Sequence, residues 1–249
     1  MTVTTVEQLK VKIFADGADL KGIEASATNP LIKGFTTNPT LMRAAGVTDY
    51  RAFALDVLKV VPDRPVSFEV FADDFPTMEA QAREIASWGD NVYVKIPVTN
   101  TKGEFAGPLI ATLSRAGVKV NVTAVLTVEQ VNRIGAALAE ATPAVVSVFA
   151  GRIADTGIDP VPVMAECVRI LKARPKAELL WASPRELLNI FQAHDIGCHI
   201  ITVTNDLIKK LALVGKDLTL YSRETVAMFH KDALAAGYSI SLPARKVAS

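Results

Sequence analysis

Cysteine is nearly absent from this 249-residue chain, which holds only Cys167 and Cys198. Two thiols cannot build a disulfide framework, and neither stands in the Cys/His spacing of a structural zinc site. Such usage fits a reduced, cytoplasmic compartment. Histidine is scarce too. His194, His199 and His230 show no His-x-His or His-x3-His spacing, so a metal-dependent aldolase or hydrolase is disfavoured and no metal ligand is expected. Charge of one sign is missing as well: 27 Lys plus Arg face 26 Asp plus Glu, a net +1. That balance offers no broad field for nucleic acid or an anionic membrane, and any anion must be gripped locally. The opening MTVTTVEQLK has neither the basic start nor the apolar run of a secretory signal. The longest apolar runs, such as that in Ala144 to Ala150, fall far short of the roughly 20 residues that cross a bilayer. A soluble protein without a membrane role is expected.

Linkers and charge blocks are also missing, so one domain over residues 1–249 is the simpler expectation. Mean hydropathy is nevertheless positive, +0.27, which points to many strands buried on both faces. Short β-branched runs alternate with longer helical patterns from end to end. The expected strands are Val11 to Ala15, Gly34 to Thr37, Val66 to Phe71, Val92 to Ile96, Lys119 to Val125, Ala144 to Phe149, Glu178 to Ala182 and His199 to Val203. Expected helices run over Leu20 to Ala27, Thr40 to Val60 with a break near Gly46, Pro76 to Trp88, Phe105 to Ala116, Val128 to Ala141, Pro160 to Ala173, Pro184 to Ala193 and Asn205 to Leu213. Thr127, Asp159 and Ser183 stand as N-caps.

Eight strands alternating with eight helices is the order of a (β/α)8 TIM barrel. A doubly wound sheet would more often carry a Gly-rich turn after its first strand, and no GxGxxG occurs. The barrel is expected over residues 10–214. A further helical stretch, Asp217 to Ala236, and a basic tail at Arg245 and Lys246 follow, to cover the barrel mouth or to bridge to another subunit.

In such a barrel the chemistry sits at the C-terminal ends of the strands. Polar residues stand there with unusual consistency: Asp16 ends the first strand, Asn38 follows the second, and Glu69 lies in the third. Lys95 lies in the fourth, Asn121 and Thr123 in the fifth, Ser147 in the sixth with Arg152 after it, and Ser183 and Arg185 follow the seventh. Lys95 is the sharpest of these, set within Val92-Tyr93-Val94-Lys95-Ile96-Pro97. An ordinary lysine, with a pKa of ~10.4, is protonated at neutral pH and a poor nucleophile; desolvation and nearby cations lower that value. Its plain alternative is a buried ion pair with Glu69 or Asp16 that only holds the barrel. Two carboxylates near a lysine suit acid/base work around an imine. Asp16-Gly17 and Asn38-Pro39 also read as turns. Arg152, Ser183 and Arg185 combine two forked cations with a hydroxyl at an expected helix N-terminus, the chemistry of a phosphate site. The alternative is a plain N-cap beside two solvated arginines. Cys167 reads as a small hydrophobe, and Trp88 and Trp181 as packing residues, with Trp181 close to the site through Ser183.

These residues together resemble the transaldolase family over essentially the whole barrel. Six motifs occur in order: Asp16 in the first strand, Thr36-Thr37-Asn38-Pro39-Thr40 at the second, Val94-Lys95-Ile96-Pro97 at the fourth, Asn121-Val122-Thr123 at the fifth, Ser147-Val148-Phe149-Ala150-Gly151-Arg152 at the sixth, and Ser183-Pro184-Arg185 at the seventh. The resemblance implies a cofactor-free transferase of the pentose phosphate branch of carbohydrate metabolism, moving a dihydroxyacetone unit between sugar phosphates. Lys95 would form the imine and Asp16 would take the proton from the C4 hydroxyl. Glu69 and Thr123 would hold a proton-shuttling water. Asn38, Asn121 and Ser147 would fix the three-carbon unit, and Arg152, Ser183 and Arg185 the phosphate. Fructose 6-phosphate aldolases resemble this chain but carry Gln at the Glu69 position and Tyr at the Phe149 position, which favours transfer over cleavage here. The segments Asp16-Gly17-Ala18-Asp19 and Ser26 to Lys33 depart from the best-known members, a sign of a specialised acceptor sugar. The resemblance also implies a homo-oligomer that uses the extra C-terminal helix. A non-catalytic sugar-phosphate-binding barrel is the competing class.

Overall fold

The computed structural model describes residues 5–241. Eight parallel strands close into a barrel in sequence order: β1 (Lys12–Asp16), β2 (Ile32–Thr36), β3 (Val66–Glu69), β4 (Val92–Pro97), β5 (Val120–Val125), β6 (Ala144–Val148), β7 (Ala177–Trp181) and β8 (Ile200–Thr204). Each expected strand is present, and the fold is a (β/α)8 barrel. Side chains alternate between two faces along each strand. One face, with Phe35, Phe68, Val94, Val122, Val146 and Leu179, packs outward against the helical shell. The other fills the barrel.

That interior is built in layers. In the middle, Phe14, Val145, Leu180 and Ile200 form a buried apolar cluster against which Tyr93 packs. Gly34 makes room for it, because a Cβ there would lie 2.4 Å from the Phe14 ring. Below this layer, toward the strands' N-terminal ends, Lys12 and Glu178 form an ion pair at 2.6 Å. Above it, the same alternation brings Asp16, Glu69 and Lys95 to the C-terminal end.

The shell consists of α1 (Leu20–Ala27), α2 (Pro39–Ala44), α3 (Tyr50–Val60), α4 (Phe75–Ala86), α5 (Gly107–Arg115), α6 (Val128–Ala137), α7 (Ala150–Asp155), α8 (Pro160–Leu171), α9 (Leu188–Asp195) and α10 (Asn205–Lys209). Side-chain oxygens of Asp19, Asn38, Asp49, Asp74, Thr127 and Asp159 accept backbone N–H groups at the starts of α1, α2, α3, α4, α6 and α8, the usual remedy for the orphan donors of a first turn. The break expected near Gly46 separates α2 from α3, with Gly46 at φ +72°. α6 stops four residues earlier than expected because Leu138 turns extended.

Two departures bear on the site. A short helix, α7, follows β6 directly and carries Arg152. Ser183, expected to cap a helix opening at Pro184, does not: it takes left-handed backbone, φ +56°, and α9 opens only at Leu188. The Asn189 side chain accepts the N–H groups of Arg185 and Glu186, holding the intervening residues in a loop.

Beyond the barrel, α11 (Leu218–Ala235) stands apart, with none of its residues buried. Arg245 and Lys246 lie outside the described residues. Among the described residues no helix is long and apolar enough to cross a membrane.

Candidate active site

A cavity of about 420 Å³ opens at the C-terminal end of the strands, lined by Asp16, Thr36, Asn38, Glu69, Lys95, Thr123, Ser147, Phe149, Arg152, Ser183 and Thr202 among others. Its size suits a small ligand. Lys95 lies at its floor, 7% exposed. The ammonium pairs with Glu69 Oε2 at 3.1 Å and donates to the backbone carbonyl of Thr37 at 2.9 Å. Strand register explains the pairing, since Glu69 on β3 is the neighbour of Lys95 on β4, and Asn121 on β5 is the neighbour on the other side.

Asp16 sits opposite in a second network. Thr36 Oγ1 donates to Asp16 Oδ1 at 2.8 Å, and Thr36 and Thr202 hydroxyls meet at 2.5 Å. Thr36 has one proton, already given to Asp16, so Thr202 is the donor in that contact. Burial raises the Asp16 carboxyl above its ordinary range; the Thr36 hydrogen bond and the Lys95 charge oppose this, and the Glu69 charge adds to it.

Beside Lys95, Ser147 Oγ donates to Asn121 Oδ1 at 2.7 Å, and Asn121 Nδ2 donates to Ser67 Oγ at 3.0 Å. Asn121 is thus fully buried and braces Ser147 rather than lining the cavity. Thr123 Oγ1 is buried on the cavity wall without a hydrogen-bond partner, an arrangement that leaves it free for a ligand or a water. A bulge in β5 follows, with Ala124 at φ +60°, and such bulges re-aim side chains at barrel rims. Asn38 spends its Oδ1 on Leu41 N–H as the cap of α2, so the turn reading and the cavity position hold together.

The arginines divide. Arg152 lines the cavity, its guanidinium 5.5 Å from the centroid of the Phe149 ring. Arg185 does not; it lies on an adjoining cavity of about 160 Å³ with Trp181, Asn189 and Gln192, and its guanidinium is held by Asp155. Ser183 lines the main cavity from a fixed backbone, its carbonyl standing where a Cβ at Gly151 would fall 1.5 Å away.

The family described as Transaldolase/Fructose-6-phosphate aldolase matches residues 13–240, from β1 to beyond α11. The chain belongs to this family. It is an enzyme of the group that transfers aldehyde or ketone residues. A "Probable transaldolase" of Dehalococcoides mccartyi is 37% identical over 194 residues, covering 78% of this chain and 86% of that one. Another from Streptococcus equi subsp. zooepidemicus is 34% identical over 202 residues, covering 81% and 90%. Among solved structures, KGPDC from Streptococcus mutans superimposes with a TM-score of 0.54 at 11% identity, covering 80% of this chain and 89% of that one. That likeness speaks to the barrel alone.

In and around this cavity, several residues escaped sequence reasoning. Thr202 and Ser67 are hydroxyls on strands, where such residues are ordinary. Tyr50, on α3, accepts the Glu69 N–H at 2.7 Å and donates to the Glu69 carbonyl at 2.9 Å, so it fixes the backbone beneath the carboxylate. The alternation of β8 was the available signal for Thr202, since it falls in phase with Ile200 in the interior. Both cysteines are buried and their thiols pushed up to about 12, which leaves them inert. Among the described residues no group of three His, Cys, Asp or Glu side chains comes together as a metal site.

Proposed function

We propose that this enzyme moves a dihydroxyacetone unit from a ketose phosphate, fructose 6-phosphate or sedoheptulose 7-phosphate, to an aldose phosphate through an imine on Lys95. The observation that carries the reading is Lys95 itself: a lysine sunk in an apolar strand yet open to the cavity, with one carboxylate on its ammonium and another, Asp16, lining the same cavity. A purely structural ion pair needs no cavity.

The chemistry follows from the groups in place. The Lys95 amine adds to the C2 carbonyl, and loss of water gives the protonated imine, which draws electrons from C3. Glu69, beside Lys95, and the unpartnered Thr123 hydroxyl suit a water that carries protons during these steps. Asp16, whose carboxyl binds a proton more tightly than an exposed aspartate would, takes the C4 hydroxyl proton as the C3–C4 bond breaks. An aldehyde departs and an enamine stays on Lys95. The acceptor aldehyde then adds to that enamine, Asp16 returns the proton, and water frees the new ketose. Ser147, braced by Asn121, and Asn38 orient the three-carbon unit; Arg152, Ser183 and Arg185 hold phosphate. Phe149 on the wall offers no hydroxyl to protonate the enamine, which supports transfer over release of free dihydroxyacetone. We infer further that the enzyme works in the cytoplasm as a homo-oligomer joined through α11, whose apolar side chains are bare.

The deciding experiment is borohydride reduction of the enzyme with fructose 6-phosphate, followed by peptide mapping. A dihydroxyacetone-sized adduct on Lys95, absent from a Lys95→Met variant, is the expected result. A folded protein that turns over substrate without an adduct at Lys95 would overturn the reading.

A further inference from the structure

Arg185 and Asp155 lie 30 residues apart and meet outside the main cavity, with Arg185 on the smaller adjoining one. Arg185 Nε donates to Asp155 Oδ1 at 2.9 Å, and Nη2 donates to the second carboxylate oxygen. Asp155 closes α7, the same short helix that carries Arg152 to the cavity wall, and the Arg152 charge bears on it too. The main chain below Arg185 is fixed: its N–H donates to Asn189 at 2.8 Å, and two residues earlier the Ser183 carbonyl abuts Gly151. The guanidinium, by contrast, rides on a long stem and is half exposed.

We propose that Asp155 is an internal competitor for Arg185, holding the guanidinium aside from the main cavity while the phosphate site is empty and yielding it when a phosphate monoester arrives. The proposal rests on the reading of Arg152, Ser183 and Arg185 as the phosphate site, and deepens it. Transfer fills that site twice per cycle: the departing aldehyde must take its phosphate away while the enamine waits for the next one. Two unopposed guanidiniums around a dianion favour retention. One carboxylate between them lowers the local charge from two positives to one and gives Arg185 a partner as the phosphate leaves. A carboxylate and a phosphate both present paired oxygens to the guanidinium fork, so the exchange keeps the number of hydrogen bonds. Because the pair is solvent-exposed, the effect is moderate.

Asp155→Asn keeps the shape and removes the charge; Asp155→Glu keeps the charge. The readouts are inhibition by inorganic phosphate and KM for glyceraldehyde 3-phosphate against unphosphorylated glyceraldehyde as acceptor. In Asp155→Asn, phosphate inhibition should tighten and KM for the phosphorylated acceptor should fall by about two- to fivefold, the span of an exposed charge pair. The same variant should lower kcat as release slows, and leave KM for glyceraldehyde unchanged. Asp155→Glu should stay near the parent. Weaker or unchanged phosphate inhibition in Asp155→Asn overturns the proposal, the weaker case making Asp155 a mere prop for Arg185. Arg152→Ala and Arg185→Ala in the same assays separate the layers of the argument. If both weaken phosphate inhibition while Asp155→Asn fails to strengthen it, only the competitor falls; if neither does, the phosphate site falls and the competitor with it.

Discussion

Asp16 is the residue at which its proposed catalytic role and stability pull apart. Its carboxyl is raised chiefly by burial, so the folded state binds that proton more tightly than the unfolded chain, where the group titrates near ~3.9. The associated stability is fully present below the unfolded value and is lost as pH rises toward the folded one. Asp16→Asn should therefore abolish transfer and yet unfold at a higher temperature than the parent at pH 8, with the difference closing as the pH falls toward ~4. Melting curves over that range test it; a variant less stable at pH 8 would mean the site stabilises the carboxylate. Phe149 carries the second expectation at this scale. Phe149→Tyr should raise release of free dihydroxyacetone without an acceptor relative to transfer, and an unchanged ratio would remove Phe149 from the account. Asp16, Glu69, Lys95, Thr123 and Ser147 were legible because a polar residue inside or at the end of an apolar strand must point into the barrel or into the outer shell, and so many of them near the strands' C-terminal ends favour the barrel interior. Thr202 had only the phase of β8 to mark it, and Ser67 and Tyr50 were hidden, because a strand hydroxyl gains its meaning from its partner and Tyr50 meets Glu69 only through the packing of α3. Arg185 was placed with the phosphate group by its motif; its hold on Asp155 spans 30 residues and leaves no local trace.

At the scale of elements, β1 and β2 fit only because of one missing side chain. The Phe14 ring occupies the space over Gly34, within 2.4 to 2.7 Å of where a Cβ would stand, among Val145, Leu180 and Ile200. Gly34→Ala should cost about 1–3 kcal/mol, as overpacking of a dense core does. Phe14→Leu in the same chain should recover part of that loss, which chemical denaturation of the two single variants and the double variant will measure. Strictly additive losses would show that the ring already has room to move. The strands were legible from their β-branched runs, since parallel strands covered on both faces need no alternation to be seen. Helix ends were less so: nothing in Ala136-Ala137-Leu138-Ala139 marks a stop, and α6 ends there because the chain turns extended toward β6. The loop before α9 was hidden for a different reason. Ser183-Pro184 reads as a cap by local rules, but the close approach of Ser183 to Gly151 is a contact between distant segments, and it decides the backbone.

For the whole molecule, α11 poses the open account. An 18-residue helix with no buried residue leaves Val226 64% and Phe229 63% exposed, a surface that soluble chains rarely leave bare. Association through this helix should make the Val226→Asp, Phe229→Asp double variant sediment as a smaller species than the parent at equal concentration. Identical sedimentation would place the interface elsewhere. The barrel itself was foreseeable from the eightfold alternation, whereas nothing in the alternation says what a helix beyond it, α11, packs upon.

The apolar layer of Phe14, Val145, Leu180 and Ile200 divides the barrel into two electrical compartments. Below it, Lys12 and Glu178 neutralise each other at the lower rim; above it, Lys95 and Glu69 form a second pair beside Asp16 in the open cavity. Substitutions under the partition adjust how firmly the barrel holds, and those over it adjust what the enzyme does. A lineage drifting in sequence is thus free to change its thermal habitat from one end and the lining of its cavity from the other, with a dry layer between the two.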